Sequence, residues 1–385
     1  MTSAGETRRV LIVTGQHFAV QPRKVDLHFL ADSLLARGAS VDFFVWRLSP
    51  VSRLLKDGRF DLARRFRFNH WQEMQPGFRQ FVWHVPLHPM NFKIGLLNRL
   101  AAPVFRRFGR FLPGDVLACL CDYTHILVES GPSPLLTPVL RAHAPQAEII
   151  YHAADRLSTI GVPPVVEEVL SQSLALYDRV HVMAEALRED FPPDVRLDYL
   201  PHGIDKAAFD RPSASPYSQG RNAVSLGDML FDAGAIEVMA AAFPEWTFHL
   251  FGRKAEPQQQ RGNIIVHGEQ PFAAIIPFLK HADLGLAPYR DGAGAAYLSQ
   301  SSLKMIQYSY CRLPIVAPHF AAKGRAHVMG YDPADPASIR SAFAAACHFD
   351  RSIIATGAIL DWDETADRLF PMAETEDGCG SRGRR

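Results

Sequence analysis

The sequence contains little cysteine and no long hydrophobic run, and both shortages limit what it can be. Its five cysteines include no pair at the C-x-x-C spacing of a structural metal site. We therefore expect free thiols in a reducing compartment. No apolar run reaches the roughly 18 residues that a membrane-spanning helix needs, and the amino terminus lacks the basic and apolar regions of a signal peptide. These absences predict a cytoplasmic chain that can contact a membrane only peripherally.

Length and composition predict two ordinary globular domains. Hydrophobic residues make up 48% of the 385 residues and charged residues 21%, which are normal globular values. A chain of this length exceeds one core of the usual size. A buried-type strand at 10–14, a helical pattern at 24–37 and a second strand at 41–46 open the sequence. This β-loop-α-β order is typical of a doubly wound parallel sheet.

The strand pattern runs twice along the chain. The first series continues at 126–128, 149–151, 179–183 and 197–200, and a polar stretch at 212–221 then reads as a linker. The second series lies at 223–226, 247–251, 264–266, 284–287 and 315–316. The predicted fold class is α/β, with two Rossmann-like domains facing across a cleft. We predict a first domain at 1–205, a second at 206–355, and at 356–385 a helix that returns to the first domain, followed by a polar tail.

The second half contains a pattern suited to a diphosphate. A loop with Gly292 and Gly294 leads to Ser302, which can cap a helix whose free N–H groups attract an anion. Lys304 adds a positive charge in the first turn, and Gln307 follows on nearly the same face. The competing interpretation of Lys304 is an ordinary solvated lysine.

The segment from residue 50 to residue 113 is strongly basic. It contains twelve lysines and arginines against three acidic residues, with many aromatic residues between them. Such a segment can bind nucleic acid, an anionic membrane or only water. Basic and aromatic amphipathic segments settle in lipid headgroups, and no recognisable nucleic-acid module accompanies this one. We therefore predict an anionic membrane surface as the partner of residues 50–113, and no nucleic acid.

Four short motifs in order resemble those of GT-B glycosyltransferases. They are the turn at 201–205 (PHGID), Gly227-Asp228-Met229, the segment at 266–269 (VHGE), and the Ser302 helix followed by a strand with Pro-Ile-Val. The family usually has Glu where this chain has Gln307. The resemblance implies a nucleotide-sugar site formed by Gly227, Met229, Glu269, Tyr289, Ser302, Leu303, Lys304 and Gln307. From the residues alone, Tyr289 is equally compatible with capping the core, and Glu269 with a solvated turn.

The chain as a whole is similar to the xanthan-type bacterial β-glucuronosyltransferases. The likeness extends from the loop at 15–18 (GQHF) through the segment at 152–156 (HAADR) to the Lys304 helix. It implies an inverting enzyme at the cytoplasmic face of the bacterial inner membrane. The implied donor is UDP-glucuronate, and the implied acceptor is the terminal mannose of a polyprenyl-diphosphate-linked oligosaccharide.

Asp155 is the candidate general base. It follows a first-domain strand, and parallel sheets bind ligands at the carboxyl ends of their strands. A carboxylate there can deprotonate an acceptor hydroxyl. The competing interpretations are a helix N-cap or an ion-pair partner of Arg156. The resemblance favours catalysis.

We expect no metal or other cofactor. Asp361-Trp362-Asp363 matches a cation-binding D-x-D pattern but lies near the chain end, beyond any predicted strand. Lys304 and its helix can carry the charge of the leaving diphosphate instead. Lys304 or Arg156 can neutralise the glucuronate carboxylate. A non-catalytic sugar-nucleotide or lipid-carrier binding protein and a nonhydrolytic epimerase remain alternatives on the same fold.

Overall fold

The computed structural model describes residues 8–17, 24–55, 57–218, 220–290 and 297–371. The predicted glycine loop at 292–294 and the polar tail lie outside these residues, as does Phe18 of the first predicted loop. The described residues form two separate sheets with helices around them.

Strands and helices follow one another along the whole of the described chain. The strands are β1 (Arg9–Thr14), β2 (Ser40–Leu48), β3 (Trp71–Gln75), β4 (Phe78–His84), β5 (His125–Glu129), β6 (Glu148–Ala153), β7 (Arg179–Val182), β8 (Leu197–Tyr199), β9 (Arg221–Leu226), β10 (Trp246–Phe251), β11 (Ile264–Gly268), β12 (Leu284–Leu286), β13 (Ile315–Pro318) and β14 (Val328–Tyr331). The α-helices are α1 (Asp26–Ala36), α2 (Pro50–Leu54), α3 (Gly58–Ala63), α4 (Gly95–Arg106), α5 (Gly114–Leu117), α6 (Thr137–His143), α7 (Pro164–Gln172), α8 (Lys206–Asp210), α9 (Ala233–Ala242), α10 (Phe272–His281), α11 (Leu298–Ser301), α12 (Leu303–Tyr310), α13 (His319–Ala322), α14 (Pro336–Cys347) and α15 (Trp362–Leu369). Short 3₁₀ helices lie at Phe108–Phe111, Leu120–Asp122, Ser133–Leu136, Leu174–Leu176, Glu185–Asp190 and Arg351–Ile353.

The first sheet has the strand order β3-β4-β2-β1-β5-β6-β7-β8. Its strands pair in parallel except β3, which runs antiparallel to β4 at the edge. The residues from Val10 to Val13 are buried because helices cover both faces of the sheet. Strands β2, β3 and β4 are added on one side of β1, and β5 to β8 are added on the opposite side. A crevice therefore opens beyond the carboxyl ends of β1 and β5.

The second sheet repeats this plan with the order β11-β10-β9-β12-β13-β14. All its neighbouring strands are parallel, and the chain reverses its direction of growth between β9 and β12. The prediction of two parallel-sheet α/β domains is therefore confirmed. The pattern did not predict β14, a four-residue edge strand.

The predicted role of the aromatic residues in the basic segment is wrong for most of them. The sequence treats these residues as one membrane-facing stretch, whereas the structure builds β3 and β4 from the middle of it. The aromatic side chains on these strands and on the helices beside them are needed to cover the sheet. The buried ones are Phe60, Phe78, Phe81, Trp83, Phe105 and Phe108.

Helix α4 presents apolar side chains to solvent, as do Leu54, Leu55 and Phe111 elsewhere in this segment. Phe105 is the one buried residue of α4. Leu96 and Leu100 are each 67% exposed and Val104 is 50% exposed, and their i, i+4 spacing places them on one face of the helix. Among the helices of the described ranges, none is long and apolar enough to cross a membrane.

The last helix, α15, packs on the first. The rings of Phe29 on α1 and Trp362 on α15 stack with their centroids 5.2 Å apart, and Arg37 forms an ion pair with Asp367. Asp361 caps α15 by accepting a hydrogen bond from the backbone N–H of Glu364. Because the second domain lies between these helices in sequence, the contact ties the end of the chain back to the first domain.

Gly203 makes a close contact where the chain crosses between the domains. A Cβ atom at this position would lie 2.6 Å from the backbone oxygen of Asp361 and 2.6 Å from Oγ1 of Thr365. We expect Gly203→Ala to destabilise the protein by roughly 1–3 kcal/mol, since the start of α15 must shift to make room.

The urea unfolding midpoint measures this effect. Gly114→Ala is the matched control, because a Cβ at Gly114 meets open space. Equal midpoints for the two variants would show that α15 is not held tightly against the crossing.

Candidate active site

A cavity of about 280 Å³ lies between the two domains. Its walls come from the carboxyl ends of strands in both sheets. Asp155 follows β6 in the first domain, while Gly227 follows β9 and Gly252 follows β10 in the second. This edge of a parallel sheet is where such folds bind ligands, because loops and helix N-termini converge there.

The cavity brings together the candidate base and the eight residues that the resemblance implied for the nucleotide-sugar site. The lining includes Asp155, Gly227, Met229, Glu269, Tyr289, Ser302, Leu303, Lys304 and Gln307. His17, from the first predicted loop, is buried and stacks on Phe66. Asp363 of the D-x-D pattern accepts a hydrogen bond from Ser33.

The N-terminus of α12 and Lys304 lie at one end of the cavity. Ser302 caps the helix by accepting from the backbone N–H of Met305. Tyr289 is almost wholly buried, and its hydroxyl lies 2.6 Å from Oγ of Ser302. Nζ of Lys304 lies 4.6 Å from the centre of the Tyr289 ring. The tyrosine thus supports both the cap and the lysine, and together they concentrate positive potential at one end of the cavity.

Two buried polar atoms in the cavity wall lack a partner. Oε1 of Gln307 and Nδ1 of His202 have no hydrogen-bond partner within the described part of the chain. Burial lowers the pKa of His202 to about 4, so the ring is neutral, and it hydrogen-bonds the backbone of Ser301. An unpaired buried polar atom is costly. A ligand with hydroxyl groups would satisfy both atoms.

Asp155 occupies the opposite wall. Its Oδ1 accepts a hydrogen bond of 2.8 Å from the hydroxyl of Tyr297, a residue of the second domain. Within the described residues it begins no helix, and Arg156 pairs with Asp190 at 2.9 Å rather than with Asp155. The two structural interpretations of Asp155, a helix cap and a partner for Arg156, are therefore not what the fold uses it for.

The environment of Asp155 suits a proton acceptor. Burial raises the pKa of its carboxyl group, and the hydrogen bond from Tyr297 partly offsets that rise. A carboxylate with a raised pKa is a stronger base. As the pH falls through this raised pKa, the group gains a proton and can no longer accept one.

A chain of buried groups behind Asp155 was not predicted. Asp26 lies 2.8 Å from Nε2 of His152, whose Nδ1 lies 2.8 Å from Nδ1 of His181. Nε2 of His181 faces the carbonyl oxygen of Leu200 at 2.9 Å. Burial lowers the pKa of His181 to about 3, so it is neutral and its Nδ1 must accept. Nδ1 of His152 therefore donates to His181, and Nε2 of His152 faces the Asp26 carboxylate.

Asp26 is kept ionised by this arrangement. Burial alone would raise the pKa of Asp26, but the hydrogen bond from His152 and the electrostatic interaction with that ring bring the pKa well below its usual value. Asp26 lines the cavity and adds negative charge to the wall that carries Asp155. No local sequence signal marks Asp26, because its partner His152 lies 126 residues away along the chain. His152 and His181 are neighbours only through the register of β6 with β7.

The sequence analysis did not select Arg253, although its position in the sequence is typical of a site residue. It follows Gly252 directly after β10, in the same strand-end position that singled out Gly227. Arg253 lines the cavity and is exposed. Arg156, which the sequence offered as a cation for the site, instead lines a second cavity.

This second cavity measures about 300 Å³ and adjoins the first at Asp155. It lies in the first domain, between the loop after β6, helix α7 and the 3₁₀ helix at Glu185–Asp190. Ser171, Glu167 and Asp190 are among its polar lining residues. The Asp155 side chain therefore borders both cavities.

Comparison with known proteins agrees with this geometry. Residues 12–183 match the family described as "Glucuronosyltransferase GumK, N-terminal domain". The UDP-glucuronate:glycolipid 2-beta-glucuronosyltransferase of Xanthomonas campestris pv. campestris is 30% identical over 378 residues, which cover 97% of this chain and 92% of that protein.

Solved structures show the same fold at low identity. Trehalose-6-phosphate synthase OtsA superposes with a TM-score of 0.63 at 14% identity, over 93% of this chain and 96% of the other. Anabaena HepE in complex with UDP and glucose gives a TM-score of 0.55 at 13% identity, over 93% and 94% of the two chains. The predicted GT-B architecture is confirmed.

Proposed function

Because this chain is a glycosyltransferase of the GumK glucuronosyltransferase family, we propose that it transfers glucuronate from UDP-glucuronate to a lipid-linked oligosaccharide. The observation that carries the proposal is an interdomain cavity lined by a base, an anion-binding helix end and unpaired polar atoms. In the full proposal, the acceptor is the terminal mannose of a polyprenyl-diphosphate-linked oligosaccharide, at the cytoplasmic face of a bacterial inner membrane.

The second domain binds the donor in this proposal. The diphosphate lies at the N-terminus of α12, where Lys304 and the free N–H groups stabilise the charge of departing UDP. Gln307 and Glu269 hydrogen-bond the ribose and base, and Met229 and Leu303 pack against them. No metal ion is needed in this scheme, because the lysine and the helix end supply the positive charge.

Arg253 is our candidate for the glucuronate carboxylate. Among the described residues, the lysines and arginines that line the cavity are Lys24, Arg253 and Lys304. Lys24 pairs with Asp32, and Lys304 lies at the proposed diphosphate position. Arg253 has a planar guanidinium that can bind a carboxylate through two hydrogen bonds.

Asp155 acts as the general base. The acceptor hydroxyl can reach it from the second cavity, while the anomeric carbon of the donor lies in the first. Asp155 removes the hydroxyl proton as the oxygen attacks the anomeric carbon and the bond to UDP breaks. Attack from the face opposite the leaving group inverts the configuration at that carbon.

The exposed face of α4 is the proposed contact with the membrane. Leu96, Leu100 and Val104 offer apolar side chains on one side of the helix, and Arg99 and Arg107 are exposed beside them. This combination is what an interfacial helix presents to anionic lipid headgroups. It replaces the aromatic residues of the basic segment as the basis for membrane binding.

Replacing Asp155 with Asn should lower the transfer rate by roughly 10²- to 10⁴-fold, because the amide cannot accept the proton. UDP affinity should stay near the wild-type value. Steady-state transfer assays and UDP titration on the same purified variant measure both. Asp194→Asn, at an exposed position, is the control. A wild-type rate for Asp155→Asn would remove this residue from the mechanism.

Lys304 and Arg253 should differ in what they recognise. Lys304→Ala should weaken UDP and UDP-glucuronate alike, by about tenfold or more, since a charged hydrogen bond contributes roughly 1.5–3 kcal/mol. Arg253→Ala should weaken UDP-glucuronate by a similar factor but leave UDP binding unchanged. Calorimetric titration with both ligands tests this, with exposed Lys323→Ala as the control. Equal losses for both ligands in Arg253→Ala would place the sugar carboxylate elsewhere.

Membrane binding should depend on the α4 face. Changing Leu96 and Leu100 to Ser should weaken binding to anionic vesicles at least tenfold, because burying each leucine contributes roughly 1.5–3 kcal/mol. Co-sedimentation with phosphatidylglycerol vesicles gives the measurement. Ile353→Ser is the matched control, since Ile353 is 65% exposed on the second domain. Undiminished co-sedimentation of the leucine variant would exclude this face.

A further inference from the structure

Tyr297 links the two halves of the active site. It is 4% exposed and belongs to the second domain, directly before α11. Its hydroxyl donates a 2.8 Å hydrogen bond to Oδ1 of Asp155, a residue 142 positions earlier in the first domain. Burial raises the pKa of Tyr297 above its usual value, so the hydroxyl stays protonated and remains the donor.

We infer that Tyr297 is a positioning residue that orients Asp155 for proton removal, an inference that rests on the function proposed above. An aspartate side chain rotates broadly about its terminal bond unless a partner holds it. The bond from Tyr297 holds Oδ1. The second carboxylate oxygen, Oδ2, is then the one that faces the acceptor hydroxyl.

Tyr297 lies close in sequence to the helix at which we place the donor diphosphate. Tyr297 precedes the cap Ser302 by one short helix, α11, and Ser302 begins the helix at which we place the diphosphate. The backbone of this segment therefore leads from the proposed base to the proposed leaving-group site. Asp155 is held in its orientation only while the two domains face each other.

The charges around Asp155 give this role a pH signature. Asp26 raises the pKa of Asp155 and His152 lowers it, and both belong to the first domain. The hydrogen bond from Tyr297 also lowers it, from the second domain. Removing the Tyr297 hydroxyl therefore raises the pKa of Asp155, and the acidic limb of the rate profile moves to higher pH.

The test is Tyr297→Phe, which keeps the ring and removes only the hydroxyl. We expect kcat to fall by roughly tenfold to a hundredfold through misplacement of the base, the acidic limb of kcat to move to higher pH, and the Kd of UDP to stay within about twofold. Tyr310→Phe is the matched control, since the Tyr310 hydroxyl donates a bond of the same 2.8 Å length to Asp210. Tyr310 does not line the cavity.

A second measurement separates positioning from a general loss of structure. If Tyr297 acts through Asp155, Tyr297→Phe should have little further effect on the rate in an Asp155→Asn background. Equal losses in both backgrounds would overturn the inference, as would an unmoved pH profile or an unchanged kcat.

The results that would refute the proposed function differ from those that would refute the role of Tyr297. A wild-type enzyme that turns over another UDP-sugar but not UDP-glucuronate would refute the donor, while the Tyr297 comparison could still be made with that sugar. A wild-type rate in Asp155→Asn would refute the base, and the role of Tyr297 with it.

Discussion

The rest of the structure depends on one constraint: the carboxyl ends of the parallel strands of both sheets face the same cavity. The strand order switches sides between β1 and β5 in the first sheet and between β9 and β12 in the second. The carboxyl ends of both sheets border the same space. Because loops and helix N-termini converge at such ends, groups far apart in sequence become neighbours. The contact of α15 with α1 ties the far end of the chain to the first sheet.

The two walls of the cavity carry opposite charge. Among the described residues of the lining, the first domain contributes the carboxylates Asp26 and Asp155 beside the single cation Lys24. In the same described set, the second contributes Lys304, Arg253 and the N-terminus of α12 beside the single carboxylate Glu269. Under the proposed function, an anionic donor is attracted to the second domain and kept away from Asp155, and a neutral hydroxyl can approach Asp155. In the proposed reaction, negative charge moves from the acceptor oxygen towards the diphosphate, along the direction in which the walls already polarise the cavity.

Burial explains why most aromatic residues of the basic segment do not face outward as the sequence predicted. Its aromatic residues have the spacing of an amphipathic surface, yet most of them cover the first sheet. A sequence of alternating arginine and aromatic residues fits a strand with one face in the core as well as it fits a lipid interface. The apolar side chains left outside include those on one face of α4 together with Leu54, Leu55 and Phe111. Only their exposure in the folded chain distinguishes them from the buried ones.

The sequence by itself determined the α/β class with two parallel sheets, and it selected nine residues that the fold brings to one cavity. These depend on local signals: apolar runs of strand length, a serine before a helix, and polar residues directly after a strand. Tertiary structure alone decided which side chains contact one another around the cavity. The bond between Tyr297 and Asp155, the chain from Asp26 to His181, and the exclusion of Arg156 from the first cavity all arise from strand register and domain packing. No local pattern encodes these long-range contacts, because each joins residues whose separation along the chain is closed only when the sheets assemble.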